Sequence, residues 1–463
     1  MKSLRISLPA LLLAVLTQVA LAQAPAAPSP SAPPPSTPSS PAPGAPAGQA
    51  AQPPSAVPVS RDARRAYDTA RDKLVQIRTV LRNTNTQAGV GSGFFVEGGL
   101  LITNFHVASQ LALEPDRYRG VFVPVDGKES ELELLAFDVQ NDLAVLRPKQ
   151  PAAGQPVLGI RGKEEPLARG ERIYSLGNPL DIGFAVTEGT YNGLVQRSFY
   201  PRIFFGGALN PGMSGGPALD DSGRVVGVNV AKRLDGDLVS FLIPVEFTTG
   251  LLEKARAAQP VTKAAHAEIT RQLMAHQGLL VQRFTGTPLR VQQHGGYGVP
   301  VPEDSMARCW GEGREPTIKA FEIERTDCRV DSHVYAGNFN TGNIELRYEA
   351  YEAPKMNSLR FARMYSQSFR NERFPSRGTR HKTAAECSER FVETGGAMPM
   401  RAVVCMVAYR KFPGLYDMSI LTTSVNQARR GVQGRLDARG VSFDNGLKLA
   451  AFYLDGFRWE ARP

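Results

Sequence analysis

The stretch Asn210-Pro211-Gly212-Met213-Ser214-Gly215-Gly216-Pro217 sets one hydroxyl among residues small enough to bend the backbone sharply. Serine is a weak nucleophile until a base takes its proton and a third group holds that base in place. Two upstream stretches carry residues of those types. One is Leu101-Ile102-Thr103-Asn104-Phe105-His106-Val107-Ala108, which follows Gly91-Ser92-Gly93-Phe94-Phe95 and a Glu97-Gly98-Gly99 turn. The other is Asn141-Asp142-Leu143-Ala144-Val145-Leu146. Each has an ordinary reading by itself: a hydrogen-bonded histidine after a strand, a turn aspartate, a flexible glycine loop. All three in the order His, Asp, Ser point to nucleophilic catalysis.

The surroundings predict a mainly β architecture. Compact runs occur at 75–80, 89–96, 100–103, 132–137, 143–146, 173–176, 193–196 and 225–230, most of them separated by Gly, Pro, Asn or Asp. Many short strands with few helices between them predict a pair of β-barrels or a sandwich. Residues 63–74 read as a helical lead-in and 245–258 as a helical exit.

These segments resemble the trypsin-like serine proteases of the chymotrypsin clan, and most closely the bacterial HtrA-type branch. That branch shows a glycine-serine-glycine-aromatic strand, a T-N-x-H-V motif, a D-L-A-V-L motif and an N-P-G-x-S-G-G-P loop. Tyr174-Ser175-Leu176-Gly177-Asn178-Pro179, Val186-Thr187-Glu188-Gly189 and Phe241-Leu242-Ile243-Pro244 match further signposts of the branch. The resemblance spans about residues 63–255 and implies two six-stranded β-barrels with the active site in the cleft between them. It implies His106 as base, Asp142 as its orienting acid and Ser214 as nucleophile, with Gly212 and Ser214 donating backbone N–H groups to the oxyanion. Asp138 is the competing acid, and the position of Asp142 directly before Leu143-Ala144-Val145-Leu146 favours Asp142.

Met213 departs from the branch, which has asparagine before the nucleophile; zymogen-type relatives have aspartate. Without that carboxylate, a newly cut N-terminal amine has no ion-pair partner there. From Phe205 to Met213 there is no acid, so a pocket for Lys or Arg is not expected. Leu209, Phe241 and Leu242 predict an apolar primary pocket, with Asp235 and Asp237 assigned to a turn. No cofactor is implied.

The 463 residues divide into four expected segments. Residues 1–22 read as a signal peptide: Lys2 and Arg5, an apolar run, then Ala20-Leu21-Ala22 with Gln23 as mature start. The alternative is an uncleaved anchor, but Thr17 and Gln18 break the run short of the ~20 apolar residues a spanning helix needs. Residues 23–60 hold 13 prolines and no charge in 38 positions, the composition of an extended tether. Residues 61–260 are the expected protease domain and 261–463 an α+β module of unknown role. The chain is expected in the periplasm or secreted.

Lys plus Arg number 54 against 44 acids, and the surplus lies late. Residues 23–260 carry 23 of each sign, whereas 261–463 carry 29 basic against 21 acidic groups. No nucleic-acid-binding signature accompanies the surplus, so a nucleic-acid partner is not expected. Arg360, Arg363, Arg370, Arg373, Arg377, Arg380 and Lys382, opposed only by Glu372, form either a solvated face or a contact for anionic envelope polymers or lipids. Cys309, Cys328, Cys387 and Cys405 allow three disulfide pairings in an oxidising compartment. The local pairing, Cys309–Cys328 and Cys387–Cys405, closes two loops of similar size. A zinc site is the rival, but neither these cysteines nor His266, His276, His294, His333 and His381 show ligand spacing. In the module the pattern predicts helices over 262–282, 358–369 and 447–457, a strand at 344–350 and a hairpin of 402–412 with 415–424. No peptide-binding PDZ pattern is read after residue 260.

The expected function is an exported serine endopeptidase acting on unfolded polypeptides. The alternative is a catalytically silent trypsin-like binding module coupled to a C-terminal interaction domain. The oligomeric state is left open.

Overall fold

Short apolar strands cannot bury both faces as isolated hairpins, and most of this chain's first half meets that need by closing on itself. The structure is a computed structural model. It describes residues 60–459 except 126, 233–237, 315–320, 331, 338, 371–373, 375–376, 396–397 and 426–427. The expected leader, the tether up to residue 59, Asp235, Asp237, Glu372 and Arg373 lie outside the described residues.

Helix α1 (Arg61–Ala70) opens on Ser60, whose hydroxyl accepts from Ala63 N at 3.0 Å. Strands β1 (Leu74–Leu81), β2 (Gln87–Val96), β3 (Leu100–Thr103), β4 (Tyr118–Pro124), β5 (Ser130–Asp138) and β6 (Leu143–Pro148) then close a barrel in the order β1-β2-β3-β6-β5-β4. Between β3 and β4 runs helix α2 (Phe105–Leu113). The second barrel uses β7 (Arg172–Gly177), β8 (Ala185–Leu194), β9 (Ile203–Phe205), β10 (Pro217–Leu219), β11 (Val225–Lys232) and β12 (Ser240–Pro244), in the order β10-β11-β12-β9-β8-β7. The expected mainly β fold with two six-stranded barrels is what the chain adopts. Helix α3 (Glu246–Arg256) buries Leu251, Leu252 and Ala255 in a core shared by both barrels. Of the expected strand at 193–196 only Gly193 and Leu194 are strand, as the end of the longer β8, and the motif around His106 leaves its strand and enters α2.

The C-terminal part begins with α4 (His266–Gly286) and a hairpin of β13 (Arg290–His294) and β14 (Tyr297–Val301). Its main layer is an open antiparallel sheet of β15 (Arg308–Arg314), β16 (Glu322–Val330), β19 (Ile344–Glu352), β23 (Arg430–Val441), β22 (Tyr416–Ser424), β21 (Pro399–Ala408) and β20 (Glu386–Glu393), in that spatial order. A small pair, β17 (Val334–Ala336) with β18 (Phe339–Thr341), lies outside it. Helix α5 (Ser358–Ser368) is capped by Asn357. Helix α6 (Phe443–Asp455) is capped by Ser442, and β24 (Arg458–Trp459) follows and pairs with β14. Leu280 and Phe284 of α4 and Leu449 and Tyr453 of α6 bury against Leu346, Ile420 and Leu436 of the sheet. Cys309 is bonded to Cys328 and Cys387 to Cys405, each pair directly opposite across neighbouring strands.

The module is docked against the first barrel. Phe105, Ala108 and Leu111 of α2 share one apolar cluster with Ile269 and Leu273 of α4, Val334 and Ala336 of β17, and Phe412. The element bearing His106 is therefore packed from behind by residues more than 150 positions later in the chain.

Candidate active site

His106 is the second residue of α2, where a helix leaves backbone N–H groups without intrahelical partners. Asp142 supplies the missing acceptor. One carboxylate oxygen accepts from His106 N at 2.8 Å and the other lies 2.7 Å from His106 Nδ1. Two contacts from one carboxylate fix both the helix start and the ring plane. Asp142 adopts a left-handed backbone conformation, φ 60°, and its carbonyl accepts from Asn104 Nδ2 at 2.9 Å. Burial opposes charge on the imidazole and is the largest influence, but the charge and hydrogen bond of Asp142 together outweigh it. His106 therefore holds its proton to a higher pH than the usual 6.5. The ring remains 35% exposed, so a substrate can reach it.

Asp138 does something else. Its carboxylate accepts from the N–H groups of Gln140 and Asn141, both at 3.0 Å, and from Asn141 Nδ2 at 2.8 Å, closing the turn that leads to Asp142. The same turn is gripped by Gln272 of α4, whose amide oxygen accepts from Val139 N at 2.7 Å and whose amide nitrogen donates to Phe137 O at 3.1 Å. Gln272 is buried, and nothing in its local sequence marks it.

The loop bearing Ser214 is held as tightly. Gly212 and Gly215 take φ of +95° and +85°, conformations that disfavour any side chain. A Cβ on Gly215 would also fall 2.3 Å from Ser92 O. Ser92 N donates to Ser214 O at 2.8 Å and Ser92 Oγ donates to Gly212 O at 2.7 Å, so β2 of the first barrel carries the loop. Gly215 also packs against Thr103 and Asn104, just before His106, which brings Ser214 to the base of α2.

Two peptide planes then determine what the loop can bind. Pro211 O accepts from Leu180 N at 2.7 Å, and Met213 O accepts from Gly216 N at 3.0 Å and Asn229 Nδ2 at 3.2 Å. In a trans peptide the N–H points opposite to the carbonyl. The N–H groups of Gly212 and Ser214 are thus turned away from those anchors, and among the described residues neither has a protein acceptor. The Ser214 hydroxyl donates to Val230 O at 3.3 Å; no hydrogen bond joins it to His106 among the described residues.

Of the three residues expected to line an apolar pocket, Phe241 borders a cavity of about 380 Å³ that also touches Asp142 and Val230. Leu209 and Leu242 lie in the core of the second barrel beside Met213, which is itself fully buried. Met213 thus anchors the loop by apolar packing where a carboxylate would be stranded. Ser92, Asn229 and Gln272 are the supporting residues that motif reading missed. Only the Ser92 position, within a quoted motif, offered a signal.

Residues 91–228 match the family described as trypsin-like peptidase domain. The chain is 31% identical over 216 residues to the putative serine protease HhoB of Synechocystis sp., covering 45% of this chain and 47% of that one. It is 33% identical over 184 residues to a probable periplasmic serine endoprotease, DegP-like, of Hahella chejuensis, covering 38% and 37%. Among solved structures, the serine endoprotease from Yersinia pestis aligns at 25% identity and a TM-score of 0.37, covering 43% of this chain and 68% of that one. The chain spans less than half the length of the two curated relatives. Residues 91–228 thus match a trypsin-like peptidase domain, and this part of the chain is similar in sequence to serine proteases named HhoB and DegP-like.

Proposed function

We propose that the double barrel is a serine endopeptidase in which Ser214 attacks the scissile carbonyl, His106 takes and returns its proton, and Asp142 holds the imidazole. The carrying observation is the two-point grip of Asp142 on His106 beside the unengaged N–H groups of Gly212 and Ser214. A serine hydroxyl moves between staggered positions at little cost, and the reaction requires Ser214 Oγ to exchange Val230 O for His106 as its acceptor. Proton transfer to His106 creates an imidazolium next to the Asp142 carboxylate while charge develops on the carbonyl oxygen. Each oxyanion donor is worth about 2.7–4 kcal/mol in comparable sites. The lack of an acid between Phe205 and Met213 supports an apolar residue at the scissile bond. Extended polypeptides, as in unfolded proteins, fit an open cleft.

Export to the periplasm or beyond rests on the leader-like residues 1–22 and on relatives named as periplasmic endoproteases. Mass spectrometry of the mature protein tests it: a chain starting at Gln23 is expected, and one retaining residues 1–22 would refute cleavage. A second reading, a silent peptide-binding module, is favoured by the Ser214 hydroxyl donating to Val230 O rather than to His106. A fluorophosphonate probe with casein turnover separates the two. The endopeptidase reading predicts labelling and cleavage by wild type, with turnover about 10⁶-fold lower in Ser214→Ala, to the residue carried by oxyanion donors and binding. Folded wild type that neither labels nor cleaves leaves the silent module.

A further inference from the structure

The cavity beside Asp142 belongs to both halves of the chain. The double barrel contributes Val139, Gln140, Arg202, Val230 and Phe241 to it, and the C-terminal module contributes Met306, Arg308, Arg329 and Ser332. Its volume, about 380 Å³, is that of a small binding site and holds one or two side chains. Its charge is lopsided. Four arginines, Arg197, Arg202, Arg308 and Arg329, line it, and its one described carboxylate, Asp142, is already engaged by His106.

Two of these arginines are placed at an energetic disadvantage. Arg202 is half-buried; among the described residues its guanidinium donates from Nη1 to Pro201 O at 3.0 Å and forms no ion pair with a carboxylate. Burial disfavours its charge, and the more distant fields of Asp142 and Asp138 only partly compensate. Arg308 stands directly opposite Arg329 across the β15–β16 pair, a like-charge juxtaposition that opposes pairing. Arg329 has Glu345 at 3.5 Å, whereas Arg308 has no ion pair among the described residues. A carboxylate entering the cavity would relieve both positions at once, pairing a desolvated guanidinium and separating two like charges.

We propose that this cavity is a subsite for an acidic side chain of the polypeptide substrate close to the scissile bond, with Arg202 on the barrel side and Arg308 on the module side as its cationic walls. The inference rests on the endopeptidase reading for the nature of the ligand. It gives the C-terminal module a share in substrate choice: an apolar residue at the reacting centre and an acidic one nearby. Electrostatic complementarity of this kind adds selectivity more than bulk affinity.

Peptide binding to Ser214→Ala tests this without requiring turnover. The probes are N-acetylated, C-amidated fluorescent hexapeptides with one valine, in which a single Glu or its isostere Gln is walked through the flanking positions. Capped termini leave the side chain as the sole carboxylate, which distinguishes it from a chain terminus. At one position at least, the Glu peptide is expected to bind roughly tenfold more tightly than its Gln twin at low salt, with the gap closing as ionic strength rises. Arg202→Gln in the same background should abolish most of that preference. Arg308→Gln, at an exposed position that does not threaten folding, should reduce it. Equal affinity of Glu and Gln peptides at every position overturns the subsite, as does a preference unchanged in both arginine variants. Fluorophosphonate labelling of the wild type decides the endopeptidase reading separately, so either can fail while the other stands.

Discussion

The double barrel and the C-terminal module are both antiparallel β-structures, yet they treat their strand edges in opposite ways. In the barrels every strand has two neighbours, so closure itself removes the edges. The module's sheet is open and ends at β15 and β20. Both disulfides lie at those ends: Cys309–Cys328 ties β15 to β16, and Cys387–Cys405 ties β20 to β21. Strand β20 is exposed over nearly its whole length and gains little from burial, so a covalent tie supplies what packing does not. The barrels contain no cysteine. One half is stabilised by topology and apolar packing, the other by crosslinked edges around a helix-covered core.

The largest test of this contrast concerns the site rather than stability. Asp142→Asn keeps the size and most hydrogen bonds of the side chain but favours the wrong imidazole tautomer. Turnover should fall about 10⁴-fold with little change in Tm, while Asp138→Asn should retain most activity. Equal losses in the two would show that the turn and the base holder act as one unit.

Met213→Asp probes the apolar half. A carboxylate would be buried among Ile173, Leu209 and Leu242, so denaturant unfolding should show a loss of roughly 4 kcal/mol. Opening either disulfide by Cys→Ser pairs should have the smaller effect, about 3 kcal/mol for loops with separations of 18 and 19 residues. Amide exchange should rise at β15 or β20 while fluorophosphonate labelling persists. Loss of labelling on opening the Cys387–Cys405 bond would break the comparison, because that bond ties the β20 edge of the module's sheet and touches none of the residues around His106 or Ser214 among the contacts described above.

The smallest expected effect is a pH shift. In the proposed role of base His106 must be neutral, and Asp142 raises its pKa, so kcat/KM should climb with pH through a midpoint above 6.5. In Asp142→Asn burial remains and the opposing charge is gone, so the residual activity should show a lower midpoint. For stability the sign is reversed: the His106–Asp142 pairing contributes fully below the unfolded-state value near 6.5 and is lost as pH rises through the raised native value. A midpoint below 6.5 in the wild type would contradict the two-point grip seen in the structure.

Much of this was legible in the residues. Ordered motifs at 91–108, 141–146 and 210–217 carry the strands, the left-handed glycines and the three reactive side-chain types, because local backbone demands select residue types directly. Strands β4, β9, β10 and β12 were not singled out as strands, since runs as short as Ile203–Phe205 owe their conformation to neighbours in the barrel. Helix α2 was missed because its residues are apolar almost all round, a pattern set by burial between barrel and module rather than by helical amphipathicity. Leu209 and Leu242 read as pocket-lining residues and lie in the core of the second barrel, a burial that nearness to Ser214 or a family motif does not decide.

The sequence by itself determined which groups are present for acyl transfer, that short strands would build a mainly β scaffold, and that four cysteines cluster late. Only the tertiary structure decided that one Asp142 carboxylate holds both the backbone and the ring of His106, that carbonyls pinned by Leu180, Gly216 and Asn229 turn two N–H groups outward, and that the module supplies part of a basic cavity. The reason is physical. Residue type and spacing govern local conformation, whereas the direction of a carboxylate or a peptide plane is set by partners on other elements, such as His106 for Asp142 and Asn229 for Met213.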